Sequence, residues 1–242
     1  MGVDLTGVTD VILSHNHEDH TGGLITLRRG VWKQHAQALS RAHVARGIFL
    51  SRSERDGKES NPMIAAGDLY RALGGRFLEY DKPVELYPGI WLTGPVPRKY
   101  PEKNWSVQGV IRTPGGSVED TVPEDQSLVI DTSQGLVIVS GCGHAGIVNT
   151  LEYARRVVRE APVRAAIGGF HLFALDDARL EWTGTKLRKF GIANFLGAHC
   201  TGVEAVYLLR KFTGLNRGTC AVGAVGSVYD LSKGLDPGPI AR

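Results

Sequence analysis

Ser14-His15-Asn16-His17-Glu18-Asp19-His20-Thr21-Gly22-Gly23-Leu24 is the most informative stretch of the chain. Three of the eight histidines, together with one aspartate, fall within these few residues. His15 and His17 alternate, so in an extended segment they project to the same side. Asp19 and His20 follow where the chain must turn. Imidazole and carboxylate groups together suit zinc and similar borderline ions. The competing reading is a solvated, histidine-rich polar loop. Four ligand-type side chains at this spacing, directly after an apolar run, weigh against it.

Working outward, Val8–Ser14 reads as a short buried strand, and Thr21-Gly22-Gly23 opens a helix to about Arg29. Residues 31–50 suggest a second helical stretch followed by a strand at Gly47–Leu50. Residues 51–67 are polar and glycine- and proline-punctuated, which predicts an exposed loop, with a short helix over 68–74. Strands separated by turns at Asp81-Lys82-Pro83 and Pro88-Gly89 are expected over 76–95. Residues 97–126 hold four of the eleven prolines and read as a long loop, a candidate active-site lid.

The second half is more regular. Ser127–Asp131 and Leu136–Ser140 read as a hairpin. Helices at about Gly146–Glu160, Asp177–Phe190 and Val203–Phe212 alternate with strands at Val163–Ile167, Ile192–Leu196 and Thr219–Val225. This alternation predicts the α/β class. The chain of 242 residues is read as a single domain spanning 1–242.

Three loops in this half follow apolar strands. They are Ser140-Gly141-Cys142-Gly143-His144-Ala145-Gly146, Gly168-Gly169-Phe170-His171-Leu172 and Gly197-Ala198-His199-Cys200-Thr201-Gly202. Strand-end loops of this kind gather at one edge of a sheet, where they can converge with the first motif. His144 and His199 are the candidate ligands, set against a structural, hydrogen-bonded histidine in each case. His171 is assigned first to a catalytic or substrate-contacting role and second to a ligand role. Cys142 is open between a thiolate ligand and a buried inert thiol.

These motifs resemble the metallo-β-lactamase-fold metal-dependent hydrolases. Gly-Cys-Gly-His-Ala-Gly-Ile-Val-Asn (141–149), Gly-Gly-Phe-His-Leu (168–172) and His-Cys-Thr-Gly (199–202) are similar to one branch, that of 7,8-dihydropterin-6-methyl-4-(β-D-ribofuranosyl)-aminobenzene-5′-phosphate synthase. The resemblance runs from about Val8 to Val225. It implies a metallo-β-lactamase-type αββα sandwich, here expected to lack its first N-terminal strands. It also implies two divalent metal ions, zinc first and manganese or iron as alternatives. His15 and His17 would serve one ion, and Asp19 and His20 the other, with His144 and His199 completing the set. Asp19 and His171 would be the catalytic groups. Most members place an aspartate where Cys142 stands, and many have a further histidine near Glu124, Asp125 or Gln126.

The implied activity is hydrolysis or transfer on a phosphate- or pterin-bearing small molecule. Helices opening after His144 and after His199 offer anion sites for phosphate, and Phe170 or Trp105 is a candidate for stacking a pterin. The alternative is a truncated or degenerate metal-binding protein without turnover.

A net charge of +3 gives no ground for a nucleic-acid partner. No apolar run approaches the length of a membrane helix, so no membrane partner is expected. The three cysteines, Cys142, Cys200 and Cys220, are too few and too widely spaced for a disulfide framework. With no leader pattern at the N-terminus, they favour a cytoplasmic enzyme. Homo-oligomerisation is left open.

Overall fold

The computed structural model describes residues 3–53, 57–104 and 109–238. They fall into two compact units, one drawn from Met1–Lys82 and Ser106–Asp125, the other from Pro83–Trp105 and Gln126–Arg242. Each has its own hydrophobic core. The class is mixed α/β, as the sequence predicts.

In the first unit, Asp10–Ile12, Arg41–Ala45 and Arg76–Tyr80 form a parallel sheet in that order. The middle strand is buried almost throughout, as expected for a strand with parallel neighbours on both sides. Ala42 and Val44 pack with Leu13, Leu24, Ile48, Met63 and Tyr70, which come partly from the helices Gly23–Val31 and Pro62–Ala72. The latter helix starts with proline, and Asn61 caps it by accepting from the Met63 N–H at 2.9 Å. A second, antiparallel sheet holds Arg52–Ser53, Val110–Thr113 and Gly116–Glu119.

Three local expectations are corrected in this unit. The strand lies at Arg41–Ala45, inside the stretch read as helix, and the segment Gly47–Leu50 is a turn. The alanines of Arg-Ala-His-Val-Ala favour helix locally, but two parallel partners override that propensity. The helix Pro62–Ala72 begins inside the expected loop. Residues 97–126 are not one long loop, because they contain the hairpin Val110–Thr113/Gly116–Glu119. The Pro114-Gly115 turn is the local signal that marks it.

The second unit holds a seven-stranded sheet. Its order is Cys220–Val222, Phe195–Gly197, Val163–Gly168, Gly135–Ser140, Ser127–Thr132, Ile90–Leu92 and Val84–Tyr87. The hairpin Ser127–Thr132/Gly135–Ser140 is antiparallel. From Gly135–Ser140 onward the four strands are parallel. The helices Ile147–Val157, Asp177–Lys189 and Val203–Thr213 connect them. Ile147, Leu151 and Ala154 line one face of their helix and pack with Leu136, Ile138, Phe195 and Leu209 in the core. Because the strands are parallel, the loops after Ser140, Gly168 and Gly197 all leave the same edge of the sheet.

Candidate functional site

In the first unit the chain stays extended past Ile12, with the Leu13 N–H donating to the His43 carbonyl at 3.1 Å. It then turns sharply, and His17 precedes the short helix Glu18–Thr21. The Thr21 hydroxyl closes this turn by donating to the His17 carbonyl at 3.0 Å. His15 becomes fully buried, its ring centroid 4.5 Å from that of His17 and 4.4 Å from that of His20. Asp19 lies beside His20, with Oδ2 3.5 Å from Nε2. The four expected ligands of the first motif are therefore together.

The loop rests on groups that sequence reasoning did not single out. The Asn16 N–H donates to the Glu124 carboxylate at 3.2 Å. Arg52, itself buried, pairs with Glu124 at 2.6 Å and with Asp120 at 2.7 Å. Glu124 and Asp120 are thus held by one guanidinium, and Glu124 positions the backbone of the histidine loop. Burial pushes the Glu124 carboxyl up to about 7 despite that guanidinium. No local signal marks Arg52, because its partners lie far along the chain. His43, by contrast, is a structural histidine. Its Nε2 is 2.7 Å from Asp10 and its Nδ1 is 3.0 Å from the Tyr80 hydroxyl.

Three packed imidazoles are a poor place for extra positive charge. Burial, helped by His20, lowers the His17 pKa against the pull of Asp19 and Asp120. The neutral imidazole is the form that ligates metal, so this donor set fits a divalent ion.

In the second unit the three strand-end loops bring Cys142, His144, His171, His199 and Cys200 together. His144 is buried, and its Nδ1 lies 2.6 Å from the Asn104 carbonyl. A carbonyl can only accept, so Nδ1 carries a proton, and Nε2 is the ring nitrogen that could ligate a metal. The His144 and His171 ring centroids are 4.7 Å apart. His199 Nδ1 is 3.4 Å from the Cys142 sulfur. His171 and His199 both have left-handed backbones, with φ of 47° and 51°, an uncommon conformation for residues other than glycine. Hydrogen bonds from Cys142, then from His171 and His199, hold the Cys200 thiol well below its ordinary range. Cys200 stands next to His199 in the sequence, yet its neighbours come from two other loops, so only the fold exposes its role. Cys220 is different: burial raises it to about 11.

Two expected substrate contacts are corrected. Phe170 is fully buried and packs on Phe195 in the core, with ring centroids 5.4 Å apart, so it is not a stacking platform. Trp105 lies outside the described residues. The anion site expected after His144 is already filled. The buried Glu102 carboxylate accepts the Val148 and Asn149 N–H groups at 3.1 and 2.8 Å. The N-cap of the helix Val203–Thr213 is Gly202, which has no side chain of its own to cap it. A cavity of about 500 Å³ in this unit is lined by Asn104, Lys103, Arg179 and Trp182 among others. Among the described residues, no helix is long and apolar enough to cross a membrane.

No family model matches the chain. The chain is 32% identical over 216 residues to 7,8-dihydropterin-6-methyl-4-(β-D-ribofuranosyl)-aminobenzene-5′-phosphate synthase of Methanocaldococcus jannaschii, covering 85% of this chain and 70% of the relative. It is 26% identical over 237 residues to the uncharacterized protein MJ0448 of the same organism, covering 93% and 79%. Its fold is similar to the crystal structure of Tm1679, a metal-dependent hydrolase of the β-lactamase superfamily. That match has a TM-score of 0.69 at 24% identity, over 87% of this chain and 75% of the other. The chain has the metallo-β-lactamase fold and belongs to the family of the 7,8-dihydropterin-6-methyl-4-(β-D-ribofuranosyl)-aminobenzene-5′-phosphate synthase.

Proposed function

We propose that the chain is a metal-dependent enzyme acting on a phosphate- or pterin-bearing small molecule, by hydrolysis or by group transfer. The observation that carries this reading is the packing of the His17 and His20 rings against buried His15, with Asp19 beside His20. Family membership supports the substrate class. In this reading His15 and His17 serve one divalent ion and Asp19 and His20 the other, with His144 and His199 as the remaining ligands and zinc the first candidate metal. A bound ion lowers the pKa of a coordinated water and polarises the oxygen under attack.

The chain's own residues do the rest. Asp19, more than half exposed beside His20, orients the attacking group or accepts its proton. His171 is the second catalytic group in this reading, supported by the contact of its ring with that of His144. The N-terminus of Val203–Thr213, opened by Gly202, favours a phosphate. Trp182, on the wall of the 500 Å³ cavity, takes the stacking role that buried Phe170 cannot.

The test is metal analysis of purified protein together with turnover of phosphodiester, lactone and pterin-phosphate substrates. Stoichiometric zinc, manganese or iron is expected, falling in His15→Ala and His17→Ala along with turnover. A protein without metal, whose behaviour the two variants leave unchanged, overturns the reading.

A further inference from the structure

We infer that Cys142, His171 and Cys200 form a thiolate-rich metal site that binds a soft divalent ion such as zinc through two sulfurs and one imidazole. The inference deepens the metal-dependent reading above and rests on it. It changes the expected part of His171, from a group beside the reaction to a ligand.

Geometry carries the argument. One ligand atom from each of the three residues lies within 4.8 Å of the others. A tetrahedral ion with bonds of about 2.3 Å to sulfur and about 2.0 Å to nitrogen needs donors roughly 3.5–3.8 Å apart. The cluster is therefore within about 1 Å of a ligating arrangement. Neither sulfur is joined in a disulfide among the described residues. The His171 backbone N–H donates to the Cys200 sulfur at 3.3 Å, which holds that sulfur in place from one side. The Nδ1 of His171 is buried and has no hydrogen-bond partner among the described residues. A buried, unpaired ring nitrogen costs free energy unless something accepts or ligates it.

The backbone around the cluster keeps the space open. A side chain at Gly169 would collide with the Gly141 carbonyl and come within 3.1 Å of the Cys200 sulfur. At Gly168, with φ of 118°, a side chain would collide with the Ser140 carbonyl. Glycines at these strand ends let three loops approach closely enough for residues 142, 171 and 200 to meet. The left-handed backbones of His171, φ 47°, and His199, φ 51°, are the strained elements at this junction. Two sulfurs beside an imidazole select zinc-like ions over magnesium, calcium or manganese, which prefer oxygen. Cys220 serves as the internal control. It lies on the strand Cys220–Val222, donates to the Val206 carbonyl at 3.6 Å and belongs to no such group among the described residues.

The test loads the full-length chain with cobalt(II) and records its absorption spectrum. A near-ultraviolet sulfur-to-cobalt charge-transfer band is expected. It should be halved in Cys142→Ser and in Cys200→Ser, lost in the double variant, and unchanged in Cys220→Ser. In His171→Ala the visible cobalt bands should shift while a sulfur band remains. As a check that needs no variant, zinc should slow iodoacetamide alkylation of Cys142 and Cys200 but not of Cys220, read by peptide mass spectrometry. Cobalt bound in stoichiometric amount with no sulfur band, or a band indifferent to Cys200→Ser, overturns the inference while leaving the metal-dependent reading standing. Zinc that fails to protect Cys142 and Cys200 overturns it as well. A chain that binds no cobalt or zinc at all refutes both.

Discussion

Replacing Glu102 by glutamine sets two physical effects against each other, and pH reads out which one wins. Glu102 is 8% exposed and sits at the start of the helix Ile147–Val157, accepting N–H groups from Val148 and Asn149. The helix N-terminus and these hydrogen bonds favour the charged carboxylate. Burial opposes them and is the larger effect, lifting the carboxyl from 4.5 to about 7. Between those two values the folded chain keeps a proton that the unfolded chain has released. Stability contributed by this group is thus fully present below about pH 4.5 and is lost as pH rises through about 7. At 1.36 kcal/mol per pH unit, the loss is about 3 kcal/mol, a sizeable share of a typical unfolding free energy. Glutamine keeps an acceptor oxygen but cannot ionise. Guanidinium unfolding of wild type and Glu102→Gln at pH 4.5, 6 and 8 gives a difference in which distant titrations cancel. That difference should move in favour of glutamine by about 3 kcal/mol from the lowest to the highest pH. A difference that stays flat to within about 0.5 kcal/mol, or that moves toward glutamate, refutes the reasoning. The second outcome would show that the helix terminus outweighs burial.

Arg52→Ala removes the guanidinium shared by Asp120 and Glu124, and should cost about 3–5 kcal/mol because it leaves a buried carboxylate unpaired. Thermal unfolding should show Arg52→Ala/Glu124→Gln recovering much of that loss; a double variant no better than the single removes the charge-pairing explanation. Gly146→Ala puts a side chain where φ is 96° and where Glu102 already lies, so a loss of about 1–3 kcal/mol is expected in chemical denaturation. Glu102→Ala/Gly146→Ala should lose less than the sum of the two single variants, and strict additivity would deny their contact.

The chain order alone already carried the α/β alternation of the second half and the positions of its strand-end loops. Ser127–Thr132, Gly135–Ser140 and the three helices beyond them show strong, local periodicity, and parallel strands force their loops to one edge. The histidine motif was equally legible, because four ligand-type residues follow one another within a single turn. Tertiary structure decided what depended on distant partners. Arg41–Ala45 is a strand because it has neighbours on both sides, not because its residues prefer one. Phe170, next to His171 in a promising loop, faces the core, and Glu102 fills the helix terminus that the sequence left open for phosphate. Cys200 stands beside a candidate ligand in the sequence, but its sulfur meets Cys142 and His171 only because glycines let three strand ends pack closely. Spacing along the chain reports which residues share a turn; which loops share a site is set by burial and backbone clearance, and these exist only once the sheet has formed.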